Sequence, residues 1–197
     1  RAELQIPGIA PCLVYVGRMS KEKGVPDLLA AFGQLRADFT DLHLSLVGPD
    51  EEELLTKSTI PGLHVVGYTK NAEAYMSAAD IICLPSYREG FGSVLIEGAA
   101  CGLPAVASRI YGVTDAVVEN VTGLLHAPGD VADLTNALRC LLSNGELRLA
   151  LANKASERAL AYFEARHIER LFSQFLERLL EEKASSSKSG ASGLRNV

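Results

Sequence analysis

Arg88-Glu89-Gly90-Phe91-Gly92-Ser93-Val94-Leu95-Ile96-Glu97 sets two carboxylates eight residues apart across a glycine-flanked turn into a helix. Glycine at 90 and 92 lets backbone come close to a ligand. A helix beginning at Gly92 aims free amide N–H groups and a positive dipole end at an anion. Glu89 then sits beside that anion and Glu97 about a turn deeper, each able to accept hydrogen bonds from ligand hydroxyls. A phosphate held next to hydroxyls describes a nucleotide sugar. The same two acids could flank a sugar bond as in a retaining glycosidase, but a phosphate-binding helix start has no task in hydrolysing a neutral oligosaccharide. The plainer alternative is a tight turn followed by a helix with Glu97 facing solvent.

A second loop, Gly17-Arg18-Met19-Ser20-Lys21-Glu22-Lys23-Gly24, adds cations. Arg18 brings a planar fork and Lys23 a mobile point charge, a pair suited to a diphosphate that gains charge as a glycosidic bond breaks. They would neutralise that leaving group without a metal. The competing reading is a solvated polar loop.

Such residues need a scaffold, and the chain has one. Its 197 residues are 48% hydrophobic and 22% charged, enough for one compact domain. A net charge of −5 without a basic stripe argues against nucleic acid or an acidic membrane as partner. Cys12, Cys83, Cys101 and Cys140 lie far apart, as expected of reduced thiols in a cytoplasmic protein. No apolar stretch is long enough for a transmembrane segment, and no signal pattern opens the chain.

Apolar, β-branched runs alternate with helical patterns, which predicts an α/β, Rossmann-like doubly wound parallel sheet flanked by helices. Strands are expected at Pro11–Gly17, Leu42–Val47, Leu63–Val66, Ile81–Leu84, Pro104–Ala107 and Gly123–His126. Helices are expected through Leu28 to Leu35, Ala72 to Ala79 and Gly92 to Cys101, and after an Asp130 N-cap. Asp50-Glu51-Glu52-Glu53 reads as the acidic first turn of another helix. A long last helix carries Ile168, Leu171, Phe172, Phe175, Leu176, Leu179 and Leu180 at helical spacing. The domain is expected to span 1–183, with a disordered serine-, glycine- and lysine-rich tail at 184–197. Every chemically suggestive residue follows the C-terminal end of a predicted strand, the edge at which open α/β sheets bind ligands. His43, His64, His126 and His167 are scattered without Asp or Cys at ligand spacing, so no metal site is expected. Ser86 and Cys101 have no nearby histidine to prepare a nucleophile and are assigned structural roles.

From Leu13 to about Tyr162 the sequence resembles the family 4 retaining glycosyltransferases of GT-B architecture. The likeness is carried by Gly17-Arg18 with Lys23-Gly24, Pro85-Ser86 leading into Glu89-Gly90-Phe91-Gly92 and Glu97, Ala100-Cys101-Gly102-Leu103-Pro104, and Thr122-Gly123-Leu124-Leu125 with Pro128-Gly129-Asp130. It implies one half of a GT-B enzyme: the C-terminal, donor-binding domain, inactive without an N-terminal acceptor domain. The resemblance further implies that Arg18 and Lys23, in the loop opened by Gly17, hold the donor diphosphate. Glu89 contacts hydroxyls of the transferred sugar, and Glu97 binds the ribose. Backbone at Gly90, Phe91, Gly92, Ser93 and Val94 meets sugar and phosphate oxygens, and Gly67, Tyr68 and Thr69 meet the base. Members retain anomeric configuration, usually without metal or other cofactor, the leaving phosphate taking the acceptor's proton.

Two departures stand out. Gly98 replaces a frequent alanine, and Tyr111-Gly112-Val113-Thr114-Asp115 replaces a double glycine followed by glutamate. The second variant is similar to members that build capsule, O-antigen or other lipid-linked surface glycans, often from UDP-sugars. Tyr111 and Asp115 either shape the site or serve as a packed tyrosine and a helix cap. Two other classes stay open: a nucleotide-binding module without catalysis, and a dinucleotide oxidoreductase, which the missing Gly-x-Gly-x-x-Gly disfavours.

Overall fold

The computed structural model describes residues 1–55 and 60–191. Its elements in chain order are β1 (Cys12–Val16), α1 (Val25–Leu35), β2 (His43–Val47), β3 (Leu63–Gly67), α2 (Ala72–Ser77), β4 (Ile81–Leu84) and α3 (Ser93–Ala100). β5 (Ala105–Ser108), α4 (Val113–Ala116), β6 (Gly123–His126), α5 (Val131–Ser143), α6 (Gly145–Tyr162) and α7 (Ala165–Ala191) follow. The strands form one six-stranded sheet in the order β3-β2-β1-β4-β5-β6, parallel at every pairing. This is the expected doubly wound, Rossmann-like fold.

The strand order turns over between β1 and β4. The chain steps outward from β1 to β2 and β3, then returns to the other side of β1 with β4. Loops leaving β1 and β4 at their C-terminal ends therefore diverge, and a crevice opens between them. The central strands are almost wholly apolar, because helices cover both faces of a parallel sheet. Leu13, Val14 and Tyr15 of β1 and Ile81 and Ile82 of β4 are fully buried. On one side α1 packs against α5, burying Leu28, Phe32 and Leu35 together with Leu134, Leu138 and Leu141. Asp130 caps α5 as expected, accepting the Asp133 amide at 2.9 Å.

Two expectations fail. Among the described residues no helix opens at Asp50. Its carboxylate captures the amides of Leu54 and Leu55, both at 3.0 Å, and Glu53 takes a left-handed conformation with φ 52°. Side-chain capture of backbone amides competes with a helical ladder, and here it produces a compact turn. The tail expected from 184 is helical as far as Ala191, since α7 runs on past it. Extending an existing helix by a residue costs far less than starting one, even through serines. Residues 192–197 lie outside those described.

The structure divides into two compact units, Arg1–Ala159 and a second from Leu160 onward. The first holds the whole sheet, and the second holds the last residues of α6 and all of α7. Among the described residues no helix is long and apolar enough to cross a membrane, and all four cysteines are free thiols.

Gly98 is explained by packing. A Cβ there would stand 2.6 Å from Ile82 Cδ1 and 3.0 Å from its Cγ2, so α3 lies on β4 too closely for a side chain. Gly98→Ala should thus destabilise by about 1 kcal/mol, the overpacking cost outweighing the gain in helix propensity. Urea unfolding of Gly98→Ala and Gly98→Ala/Ile82→Val measures it, the double variant losing less than the sum of the singles.

His43 of β2 and His64 of β3 share a hydrogen bond, Nδ1 to Nε2 at 2.9 Å. Their rings are 20° from parallel with centroids 5.1 Å apart, so the bond runs edge to edge and one proton serves both nitrogens. Both pKa values lie below the ordinary imidazole value. For His43 the cause is burial, then His64 and Arg36; for His64 it is burial. A depressed folded pKa contributes stability in full above the unfolded value of about 6.5, lost as pH falls through the folded values. Stability should therefore fall from about pH 7 toward pH 5, and His64→Gln should flatten that slope in urea titrations at a series of pH values.

Candidate functional site

The crevice between β1 and β4 is walled by two loops held in contact. Gly24, at φ 68°, ends the loop after β1, and a Cβ there would lie 2.0 Å from the Pro85 carbonyl oxygen. Tyr87 N–H donates to Glu22 O at 2.9 Å, a second tie between the same loops. This contact delivers Lys23 to Glu89. The ammonium Nζ donates to Glu89 Oε1 at 2.8 Å and to Arg88 O at 3.3 Å. Ser86 Oγ donates to the same carboxylate oxygen at 2.7 Å. Ser86 is fully buried, and the Lys23 and Glu89 side chains are only 21% and 15% exposed.

Above this knot lies a cavity of about 300 Å³ lined by Gly17, Lys23, Glu89, Phe91, Gly92, Ser93 and Val94, with Tyr15 at its floor. Gly92 is the N-cap of α3 at φ 70° and supplies no capping side chain. Ser93 and Val94, which open α3, line the cavity with no side chain capping the helix, so its positive dipole end stands beside an ammonium and a carboxylate. That arrangement can hold an anion and read hydroxyls at once.

A third segment supports the wall. Gly112, at φ 84°, comes so close that a Cβ would be 2.4 Å from Gly90 O and 3.1 Å from Glu89 O. The Arg158 guanidinium then caps α4, donating to the carbonyls of Asp115 and Ala116, both at 2.8 Å. Tyr111 is 86% exposed, which rules out the packed-tyrosine reading. Gly112, not Asp115, is the N-cap of α4.

The cavity thus gathers Gly17, Lys23, Glu89, Phe91, Gly92, Ser93 and Val94 from the sequence-predicted set. Gly90 is exposed next to it, and Glu97 is exposed further along α3. Arg18 is turned away, half-exposed, its guanidinium 3.5 Å from Glu51. Gly67, Tyr68 and Thr69 close β3, two strands from β1; Tyr68 is exposed, and Thr69 Oγ1 accepts the Asn71 amide. Among the described residues no group of three or more His, Cys, Asp or Glu is placed to hold a metal. Sequence reasoning missed the hydrogen bond from Ser86, though a serine three residues before an acid in a tight turn is within reach of it. The acidic run was also misjudged, since Glu51 meets Arg18 and Glu52 accepts the Lys21 amide at 3.2 Å.

The family description "glycosyl transferases group 1" matches residues 1–158. The chain belongs to that family. It is similar to glycogen synthase of Mycobacterium tuberculosis, 35% identical over 160 residues that make up 77% of this chain and 39% of that protein. Among solved structures, sucrose-phosphate synthase from Thermosynechococcus elongatus superposes with a TM-score of 0.82 at 32% identity, over 92% of this chain and 48% of that one. HepE of Anabaena, solved in complex with UDP and glucose, gives a TM-score of 0.80 at 22% identity over 90% of this chain and 51% of its own. The architecture is that of GT-B glycosyltransferases. This glycosyl transferases group 1 chain spans less than half of the glycogen synthase and about half of either solved protein.

Gly112→Ala should destabilise the domain by about 2 kcal/mol, through strain at positive φ and displacement of the Glu89-Gly90 backbone. Thermal unfolding reads this directly.

Proposed function

We propose that this chain is the donor-binding half of a retaining, family 4-type glycosyltransferase that takes a nucleoside diphosphate sugar, a UDP-sugar in the first instance. The observation that carries the reading is the Lys23–Glu89–Ser86 knot beneath the uncapped start of α3. Both donors take Glu89 Oε1, so Oε2 is the oxygen left for a hydroxyl of the transferred sugar. Lys23 has three protons and can keep Glu89 while reaching a phosphate oxygen. Ser93 and Val94 amides face the same phosphate.

In the reaction the bond between the anomeric carbon and the diphosphate oxygen breaks, leaving the electron pair on phosphate. The acceptor oxygen bonds to that carbon on the same face, and its proton passes to the departing phosphate. Lys23, the α3 dipole and Arg18 compensate the charge that develops, so the chain's own residues can neutralise the leaving group without metal or other cofactor. Arg18 must leave Glu51 for this, a small cost, since an exposed pair is worth about 1 kcal/mol or less. Glu97 reads the ribose, and Gly67, Tyr68 and Thr69 meet the base.

UDP is favoured because HepE, which shares the fold, is solved with it. The acceptor is a saccharide or lipid-linked saccharide in surface glycan synthesis, supported by the Tyr111-Gly112-Val113-Thr114-Asp115 variant, and it enters through an N-terminal GT-B domain. The full enzyme would act in the cytoplasm, at the membrane periphery where its acceptor is lipid-linked. A non-catalytic nucleotide-binding module is the second reading, because the Lys23–Glu89–Ser86 knot beneath the start of α3 would hold a nucleotide equally well without turnover.

Calorimetric titration with UDP, GDP, ADP and NAD, with and without magnesium, tests the donor site. One nucleoside diphosphate should bind without metal. Lys23→Ala should weaken it roughly 10- to 100-fold, the loss of a charge-assisted contact, and leave the nucleoside unaffected. Binding of NAD alone, or of no nucleotide, would refute the reading. Turnover on joining an N-terminal acceptor domain, as against binding without it, separates the enzyme from the module.

A further inference from the structure

Tyr15 ends in a hydroxyl within a strand that is otherwise aliphatic apart from Cys12, and it is fully buried. Its phenol reaches past the end of β1 and donates to the Arg18 carbonyl at 2.6 Å. The oxygen passes 3.1 Å from where a Cβ on Gly17 would stand, so the phenol packs closely against the turn. The neighbouring amides are tied elsewhere: Gly17 N–H donates to Val47 O at 2.9 Å, and Met19 N–H to Pro49 O at 2.8 Å. The Arg18 carbonyl between them is held by Tyr15. The Arg18 C=O and the Met19 N–H belong to one peptide plane, so that plane is held at both edges, by Tyr15 and by Pro49, directly after the Cα that carries the Arg18 side chain.

The phenol also lines the floor of the cavity and feels the charges of both Glu89 and Arg18. Burial, then Glu89, pushes its pKa well above the ordinary phenol value, so the hydroxyl keeps its proton and remains a donor.

We propose that Tyr15 is a positioning residue for diphosphate recognition, its hydroxyl locking the Gly17-Arg18 turn from which Arg18 reaches the donor phosphates. The inference rests on the donor-site reading above. A loop already ordered in the free protein loses less entropy when the ligand binds. Without the hydroxyl that plane keeps only its Met19 tie, the turn is held less firmly, and the affinity lost is that for phosphate rather than for the nucleoside.

Tyr15→Phe keeps the ring in the core and deletes only the hydroxyl. The tightest-binding of UDP, GDP and ADP and its nucleoside would be titrated into the wild-type chain, Tyr15→Phe, Arg18→Ala and the double variant, with circular dichroism melts to verify folding. Tyr15→Phe should weaken the diphosphate about fivefold, the worth of one hydrogen bond, leave the nucleoside unchanged, and add nothing in the Arg18→Ala background. A merely structural role would lower both ligands alike, or lower the diphosphate equally in both backgrounds; either result overturns the proposal. So does undiminished diphosphate affinity in Tyr15→Phe or in Arg18→Ala. If the wild-type chain binds no nucleoside diphosphate, the donor-site reading itself falls and this role falls with it. A wild type that binds and a Tyr15→Phe variant that matches it removes the positioning role alone.

Discussion

The site depends on the clamp between Gly24 and Pro85. Backbone there approaches backbone so closely that a methyl group would overlap the Pro85 carbonyl. A parallel sheet that turns over between two adjacent strands necessarily splays their loops. The clamp draws them together again a few residues beyond the strands. Lys23 precedes the glycine and Ser86 follows the proline, so the contact places an ammonium, a hydroxyl and the Glu89 carboxylate within hydrogen-bond reach. Gly112 presses on the other side of the same wall against Glu89 and Gly90.

Inside that frame the charges are balanced before any ligand arrives. A half-buried ammonium or carboxylate alone would be costly, and Lys23 and Glu89 answer each other while Ser86 satisfies the carboxylate further. Outside it, Arg18 rests against Glu51 in a longer, more exposed contact. The difference in burial separates the roles: the inner pair holds its geometry, and the outer arginine can be redirected at little cost. The opening amides of α3 add partial positive charge without a counter-ion, because Gly92 leaves them uncapped.

The layers of the fold were legible because they rest on patterns that physics enforces locally. Buried parallel strands require continuous apolar runs, and all six emerged close to where those runs stand. Asp130 could be read as a cap because an N-cap acts within three residues. The failures have separate causes. Asp50 captures two amides a turn ahead, which composition alone does not distinguish from an acidic helix start. The reach of α7 to Ala191 reflects the cooperativity of a helix already formed, not the preferences of its last residues.

By itself the sequence determined the family to which the chain belongs and pointed to Lys23, Glu89 and the glycine-flanked start of α3, since those residues and their spacings are local and survive unfolding. Only the tertiary structure decided how those groups meet. It paired Lys23 with Glu89 across 66 residues, joined His43 to His64 across two strands, turned Arg18 toward Glu51, and set Tyr15 beneath the Arg18 carbonyl. Most of these contacts join segments far apart along the chain, and even the short reach from Tyr15 to Arg18 depends on how the turn folds back over the strand. Such distances are set by how strands register and loops close, and neither is written in any local stretch of residues.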